Sequence, residues 1–483
     1  MLTISLILIP LITSLLLFLT KDKSVFKTIS LASSLITFAL AIVALIGFDK
    51  SIGRNFVFDT PWIHALGINF AFGMNGISLL LVLLTTLLVP IIIFSTFQQK
   101  NNYPASFFAL ILLMESALLG VFTSSDGFLF YIFWELALIP IYFICGLWGG
   151  ENRIRITLKF FIYTMLGSLF MLAGFIWLYL KTPYPHSFAF DAILHVSLNG
   201  NEQLGVLTAF FLAFAIKIPV FPFHSWQPDT YTTAPFAGSM LLAGIMLKMG
   251  LYGVLQFILP VCSGILFYYG PIIIFLASVS VIYGSIIAIQ QKEIKRLIAY
   301  SSLSHVGLMA LAIFTLTADG IQGAIFQMLS HGINVVAMFF IAAIIYNRTQ
   351  TTSIKDLGGI AKSAPRFAIF FMITMLGTVA LPLTNGFIGE FMMLTGIAQY
   401  NIFIAAIVGL SIIFGAVYMF KLYQKSMYGD TNQLTESFAD LTMNEMIIAV
   451  PLVILILGMG IYPKPFLEIA KPAVYTLLQI SGM

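Results

Sequence analysis

Residues 204–224 read LGVLTAFFLAFAIKIPVFPFH, an apolar run with Lys217 in its interior and Pro219 and Pro222 close behind. A hydrocarbon core of about 30 Å takes around 20 residues of helix, so this run is long enough to cross it. Two prolines so close together remove two amide donors and free the carbonyls behind them, and the helix is expected to break just after Lys217. Irregular backbone survives at membrane depth only where protein buries it or where it lines a wet cavity. The stretch therefore predicts an all-α, multi-pass membrane protein with a lysine beside an internal helix break.

The rest of the chain agrees with that reading. Of 483 residues 60% are hydrophobic and 9% charged, against roughly a quarter charged in a soluble domain, which excludes a water-soluble globule. The net charge is +4 with no basic cluster, so no nucleic-acid surface is expected; the lipid bilayer is the expected surrounding. Cys145 and Cys262 sit in separate apolar runs and imply neither a disulfide framework nor a four-thiolate cluster. The sequence carries no Gly-rich dinucleotide fingerprint, phosphate loop or HExxH helix. Any redox cofactor is therefore expected on a partner chain, with none here.

Cutting the apolar runs at their charged or Pro/Gly/Asn breaks gives fourteen expected spans, near 2–19, 28–48, 77–97, 106–123, 127–148, 156–180, 204–224, 235–258, 265–289, 297–316, 321–346, 367–400, 402–424 and 444–462. The first is expected to be a retained helix, since it lacks a small-residue cleavage site. In this register the odd connections hold 16 Lys and Arg and the even connections with the tails hold 5. By the positive-inside rule both termini should face away from the positive side, the periplasm of a bacterium whose cytoplasmic (inner) membrane holds the chain.

Five ionisable residues fall inside spans: Glu115, Glu135, Lys217, Lys248 and Glu390. Glu135 should lie about 12 Å into its helix and the two lysines about 20 Å into theirs, too deep to snorkel. At roughly 2.5–3.5 kcal/mol each, five unpaired charges would cost about 12–18 kcal/mol, so they must pair, neutralise or face internal water. Such groups serve ion pathways and proton relays, or act as static polar glue between helices. Lysine suits a relay because burial favours its neutral form and a nearby carboxylate its charged form. His224, His305 and His331 are candidate carriers between Lys248 and Glu390, or satisfied structural histidines.

A second break is expected in the twelfth span, where Leu381-Pro382-Leu383-Thr384-Asn385-Gly386 interrupts an apolar stretch ahead of Glu390. If spans four to eight (104–260) and nine to thirteen (261–426) each form a five-helix unit, both broken helices come fourth in their unit. The odd helix number inverts the second unit relative to the first, a layout common in transporters. Residues 1–103 then hold spans one to three, and 427–483 the fourteenth.

Phe130-Tyr131-Ile132-Phe133-Trp134-Glu135, with Ile139-Pro140-Ile141-Tyr142, and Lys217 to His224 continuing through Ser225-Trp226-Gln227-Pro228-Asp229, resemble the antiporter-like proton-pumping subunits of respiratory complex I. The likeness runs over nearly the whole chain, through Leu247-Lys248, Ser304-His305-Val306-Gly307 and Gly389-Glu390-Phe391. Glu390 stands where sister subunits usually carry Lys, and the chain stops soon after its last span, leaving no room for a long lateral helix. Both features point to one branch of that family.

The resemblance implies a proton-translocating subunit of an NADH:quinone oxidoreductase. FMN, iron–sulfur clusters, NADH and quinone would sit in partner subunits, beside sister antiporter-like membrane subunits. It further implies that Glu135 pairs with Lys217, that Lys217 exchanges protons with Lys248, and that Glu390 is the terminal donor or acceptor. Glu115 stays open between a second carboxylate and structural glue. A subunit of a cation/proton antiporter complex or of a membrane-bound hydrogenase shares these residues and is the alternative. A scaffold leaves the mid-membrane charges without a purpose, and a lipid-modifying enzyme lacks a nucleophile with a base at usable spacing.

Overall fold

The structure, a computed structural model, describes residues 1–19, 25–97 and 103–480. Helices α1 (Leu2–Leu19) and α2 (Phe26–Ile46) lead into a hairpin of β1 (Asn55–Ile63) and β2 (Ile68–Met74), then α3 (Gly76–Thr96), α4 (Ala105–Thr123), α5 (Gly127–Trp148) and α6 (Arg153–Lys181). After the short α7 (Phe190–Leu194) come α8 (Gly200–Lys217) and α9 (Trp226–Thr233). One irregular rod follows, made of α10 (Phe236–Leu241), α11 (Lys248–Gly253) and α12 (Leu259–Val261) joined by π-helical turns at Leu242–Met246 and Val254–Ile258. The remainder is α13 (Ser263–Ile289), α14 (Ile294–Phe314), α15 (Ala318–Thr349), the short α16 (Ile360–Ser363), α17 (Pro365–Thr378), α18 (Asn385–Tyr400), α19 (Ile402–Met427), α20 (Met443–Ile461) and α21 (Lys464–Ile480).

Among the described residues twelve helices are long and apolar enough to cross a membrane. The expected fourteen counted two more runs, 204–224 and 367–400, and the structure divides both. α8 stops at Lys217 and α9 starts at Trp226, while α17 stops at Thr378 and α18 starts at Asn385. Pro219 and Pro222 lie in the first gap and Pro382 in the second, each withholding an N–H from the helix ladder, whereas Asn385-Gly386, expected to be part of the second break, already form the first turn of α18.

Helix starts follow local chemistry. The Asn75 side chain accepts from Ser78 N, and Asn199 with Glu202, like Thr442 with Glu445, forms a reciprocal capping box. α15 is buried almost throughout and packs against α3, α10, α14, α17, α18 and α20, whereas α1, α2 and α19 leave broad apolar faces exposed, as lipid-facing helices do.

Three features differ from the sequence reading. The hairpin was not foreseen; its residues lie in the connection between the second and third expected spans, where cutting apolar runs finds only helices. The short tail after the last span folds as α21, whose one-sided apolar pattern packs on α3 and α15. Lys295, counted among the loop cations, is 6% exposed and donates to Ala234 O at 2.5 Å over the Phe236 ring. The ammonium caps the carbonyl end of α9, a favourable place for a cation. Lys21, Lys23 and Lys100 of the charge count lie outside the described residues.

Candidate functional site: a buried row of ionisable groups

The row starts on α5. Asp126 precedes the helix, and its carboxylate accepts from Phe128 N (2.9 Å), Leu129 N (3.1 Å) and, across to the hairpin, Asn69 N (3.2 Å). Burial raises its pKa to about 6 against these stabilising bonds. Two and a half turns further on, Glu135 presents a carboxylate oxygen, Oε1, with no hydrogen-bond partner among the described residues. Lys217 ends α8 across from it, 2% exposed, and its Nζ also has no hydrogen-bond partner there. The break beyond Lys217 is tied down by Trp226 Nε1, which donates to Ile216 O at 2.9 Å, and by Phe221 N, which donates to Ser280 Oγ at 2.7 Å.

α11 lies close against this break. A Cβ on Gly250 would meet Ile218 Cγ1 at 2.6 Å and Phe214 O at 3.1 Å, so only glycine admits the approach. Lys248, fully buried on the same short helix, donates from Nζ to Ala243 O at 2.6 Å and lies 3.0 Å from His331 Nδ1. Ala243 belongs to the π turn, where Leu247 N reaches back five residues to Leu242 O. Such turns inside helices concentrate at functional sites.

From His331 on α15 the row continues to His305 on α14, with ring centroids 6.0 Å apart. His305 Nδ1 then lies 2.9 Å from Oε1 of Glu390, on α18 just past the second break. Gln327 Nε2 donates to the same oxygen at 3.4 Å, and Asn334 donates to Asn385 Oδ1 at 3.0 Å and to Gly377 O at 2.9 Å. Two small cavities flank the row. One is bordered by Ser301, Ser302, His305, Gln327, His331 and Asn334, the other by Ser304, His305, Thr378 and Glu390. Each leaves about 10 Å³ for a water centre, about what one water requires.

The structure thus brings Lys248, His331, His305 and Glu390 together, and sets Lys217 and Glu135 on the elements beside them. His224 stands apart, 8% exposed, its ring packed on Phe221 (5.5 Å) and Tyr283 (5.0 Å). Glu115 is fully buried on α4, with neither oxygen partnered among the described residues. Pro219 and Pro222 lie in the first break and Pro382 in the second. Sequence reasoning missed Asp126, Gln327 and Asn334, and read Asn385 only as part of a helix break. Asp126-Gly127 ahead of an apolar run was a helix-start signal that could have been read.

The family described as NADH:quinone oxidoreductase/Mrp antiporter, TM, matches residues 124–415. The chain is 43% identical to NADH-quinone oxidoreductase subunit M of Rickettsia conorii over 98% of its own length and 97% of that protein's. Among solved structures it superposes on a chain of respiratory complex I from Thermus thermophilus with bound NADH, at 30% identity and TM-score 0.93, over 100% of both chains. A chain of the Mrp complex from Dietzia sp. shares the fold, at 19% identity and TM-score 0.89 over 99% and 98% of the two chains.

Proposed function

Because this chain belongs to the NADH:quinone oxidoreductase/Mrp antiporter membrane family, on its subunit M branch, we propose that it translocates protons through the row from Glu135 to Glu390. The observation that carries the reading is the short sequence of groups from buried Lys248 and His331 through the partly buried His305 to buried Glu390. Its members can each hold or release a proton, and groups this deep in a membrane protein are kept for such work.

In this reading NADH oxidation and quinone reduction occur on FMN, iron–sulfur clusters and quinone held by partner subunits, and this chain carries none of those groups. A change of field or of the Glu135–Lys217 separation drives the lysine's proton toward Lys248. Coulomb terms of several kcal/mol per close pair at an effective dielectric of about 20 suffice for that. His331 and His305 pass the proton on, and Glu390 exchanges it with the far side. Spans four to eight and nine to thirteen act as two inverted units, each with one broken helix. The chain sits in a bacterial inner membrane beside sister antiporter-like subunits, both termini on the periplasmic side.

The test is Glu135→Gln in the assembled complex, reconstituted in vesicles. NADH-driven proton pumping should be abolished while the chain still inserts and assembles; normal pumping would sink the reading.

A further inference from the structure

Lys217 and Glu135 do not form an ion pair in this structure, and the lysine has a different neighbour. Its Nζ lies 5.3 Å from the centroid of the Trp134 ring, within the range over which an aromatic face attracts a cation, and that attraction is strongest for indole and for desolvated sites. Trp134 is 3% exposed, and its ring is packed between Phe130 (5.7 Å) and Phe214 (5.6 Å). Phe214 lies one turn before Lys217 on α8, so ring and lysine share one rigid setting. Trp134 and Glu135 are consecutive on α5, and Lys217 therefore has two alternative neighbours from adjacent positions.

These neighbours differ chemically. A carboxylate attracts the ammonium and can also accept its proton. An indole face attracts only the ammonium, cannot take the proton, and loses its hold once the amine is neutral. We propose that Trp134 is a positioning residue that holds protonated Lys217 while it is separated from Glu135, so that the proton leaves only toward Lys248. The inference rests on the reading of Lys217 as a proton carrier. The other titratable groups on the elements packed around the lysine are Tyr131, Tyr142 and Cys145 on α5, Arg153, Arg155, Lys159, Tyr163, Tyr179 and Lys181 on α6, Lys248 and Tyr252 on α11, and Tyr268, Tyr269 and Tyr283 on α13, with His224 beyond the break.

The experiment places mono-, di- and trifluorotryptophan at position 134 of the assembled complex. Fluorine drains the ring face of negative charge with little change of shape. Protons pumped per NADH should fall stepwise with each fluorine. In Trp134→Leu the alkaline limb of the pumping–pH profile should move down by about one pH unit, with Trp134→Phe in between. A flat fluorine series overturns the proposal, and that series decides the matter if the leucine variant fails to assemble. Lys217→Met keeps the two readings distinct. Full pumping in that variant removes the relay and this proposal with it, while lost pumping beside a flat fluorine series removes only the role of Trp134.

Discussion

His305 Nδ1, on α14, lies 2.9 Å from Oε1 of Glu390, on α18, and these two side chains join helices that both pack on the buried α15. The contact sits directly past the second helix break, where Asn385 begins α18. A ring N–H donating to a carboxylate is a contact whose strength changes with one proton.

Glu390→Gln keeps the shape and a hydrogen-bonding group but removes the carboxylate. Positioned acid–base groups contribute about 10²–10⁴-fold, so pumping should fall at least about tenfold. NADH oxidation by an artificial acceptor, which needs only partner subunits, should be unchanged. Proton uptake by reconstituted vesicles measures the first and NADH absorbance the second, and unaltered pumping would show that the row does not end on Glu390.

Lys248→Met removes the donor to Ala243 O and the neighbour of His331 Nδ1. A buried acceptor left unpaired costs about 1–3 kcal/mol, so the purified complex should unfold at lower temperature, and pumping should be lost. Lys248→Arg should not restore it, because the site is fully buried and a planar fork does not fit where a compact ammonium sits. An arginine variant that pumps at the wild-type rate would contradict this account of the site.

Much of this site was legible in the sequence because membrane burial makes charges conspicuous: Lys217, Lys248 and Glu390 stand out against apolar surroundings, and the breaks announce themselves through proline. What could not be read was adjacency. No local pattern tells that His331 lies against Lys248 while His224 meets Tyr283 edge to face, since both depend on which helix faces which. The π turns around Lys248 were equally hidden, being set by packing of a rod that reads as an ordinary apolar span. Lys295 looked like a loop cation because its burial comes from the carbonyl end of α9, 61 residues away in the chain.

Asp126 gives a pH dependence with a definite sign. Burial lifts its folded pKa to about 6 from the ordinary aspartate value of 3.8. Between these values the folded junction binds a proton that the opened one does not, so stability falls as pH rises from about 4 through 6 and levels off above. The full effect is on the order of 3 kcal/mol. Hydrogen exchange at residues 67–72 and 127–130, corrected for intrinsic rates, should show protection declining over that window. Asp126→Asn, which can still cap α5, should flatten the profile; a profile unchanged by the substitution would assign the effect to another group.

Gly250→Val tests the passage between the lysines without touching any ionisable group. Its Cβ would come within 2.6 Å of Ile218 Cγ1 and 3.2 Å of Ile218 N, so α11 must move away from the break that follows Lys217. Overpacking of this kind costs about 1–3 kcal/mol, which the complex should survive. A misplacement of about 1 Å can nevertheless slow chemistry by around 10²-fold. Pumping should therefore drop steeply in Gly250→Val and less in Gly250→Ala, with assembly and artificial-acceptor activity retained. If valine leaves pumping intact, protons do not cross at this contact, and the passage from Lys217 to Lys248 must run around α11 instead of across it.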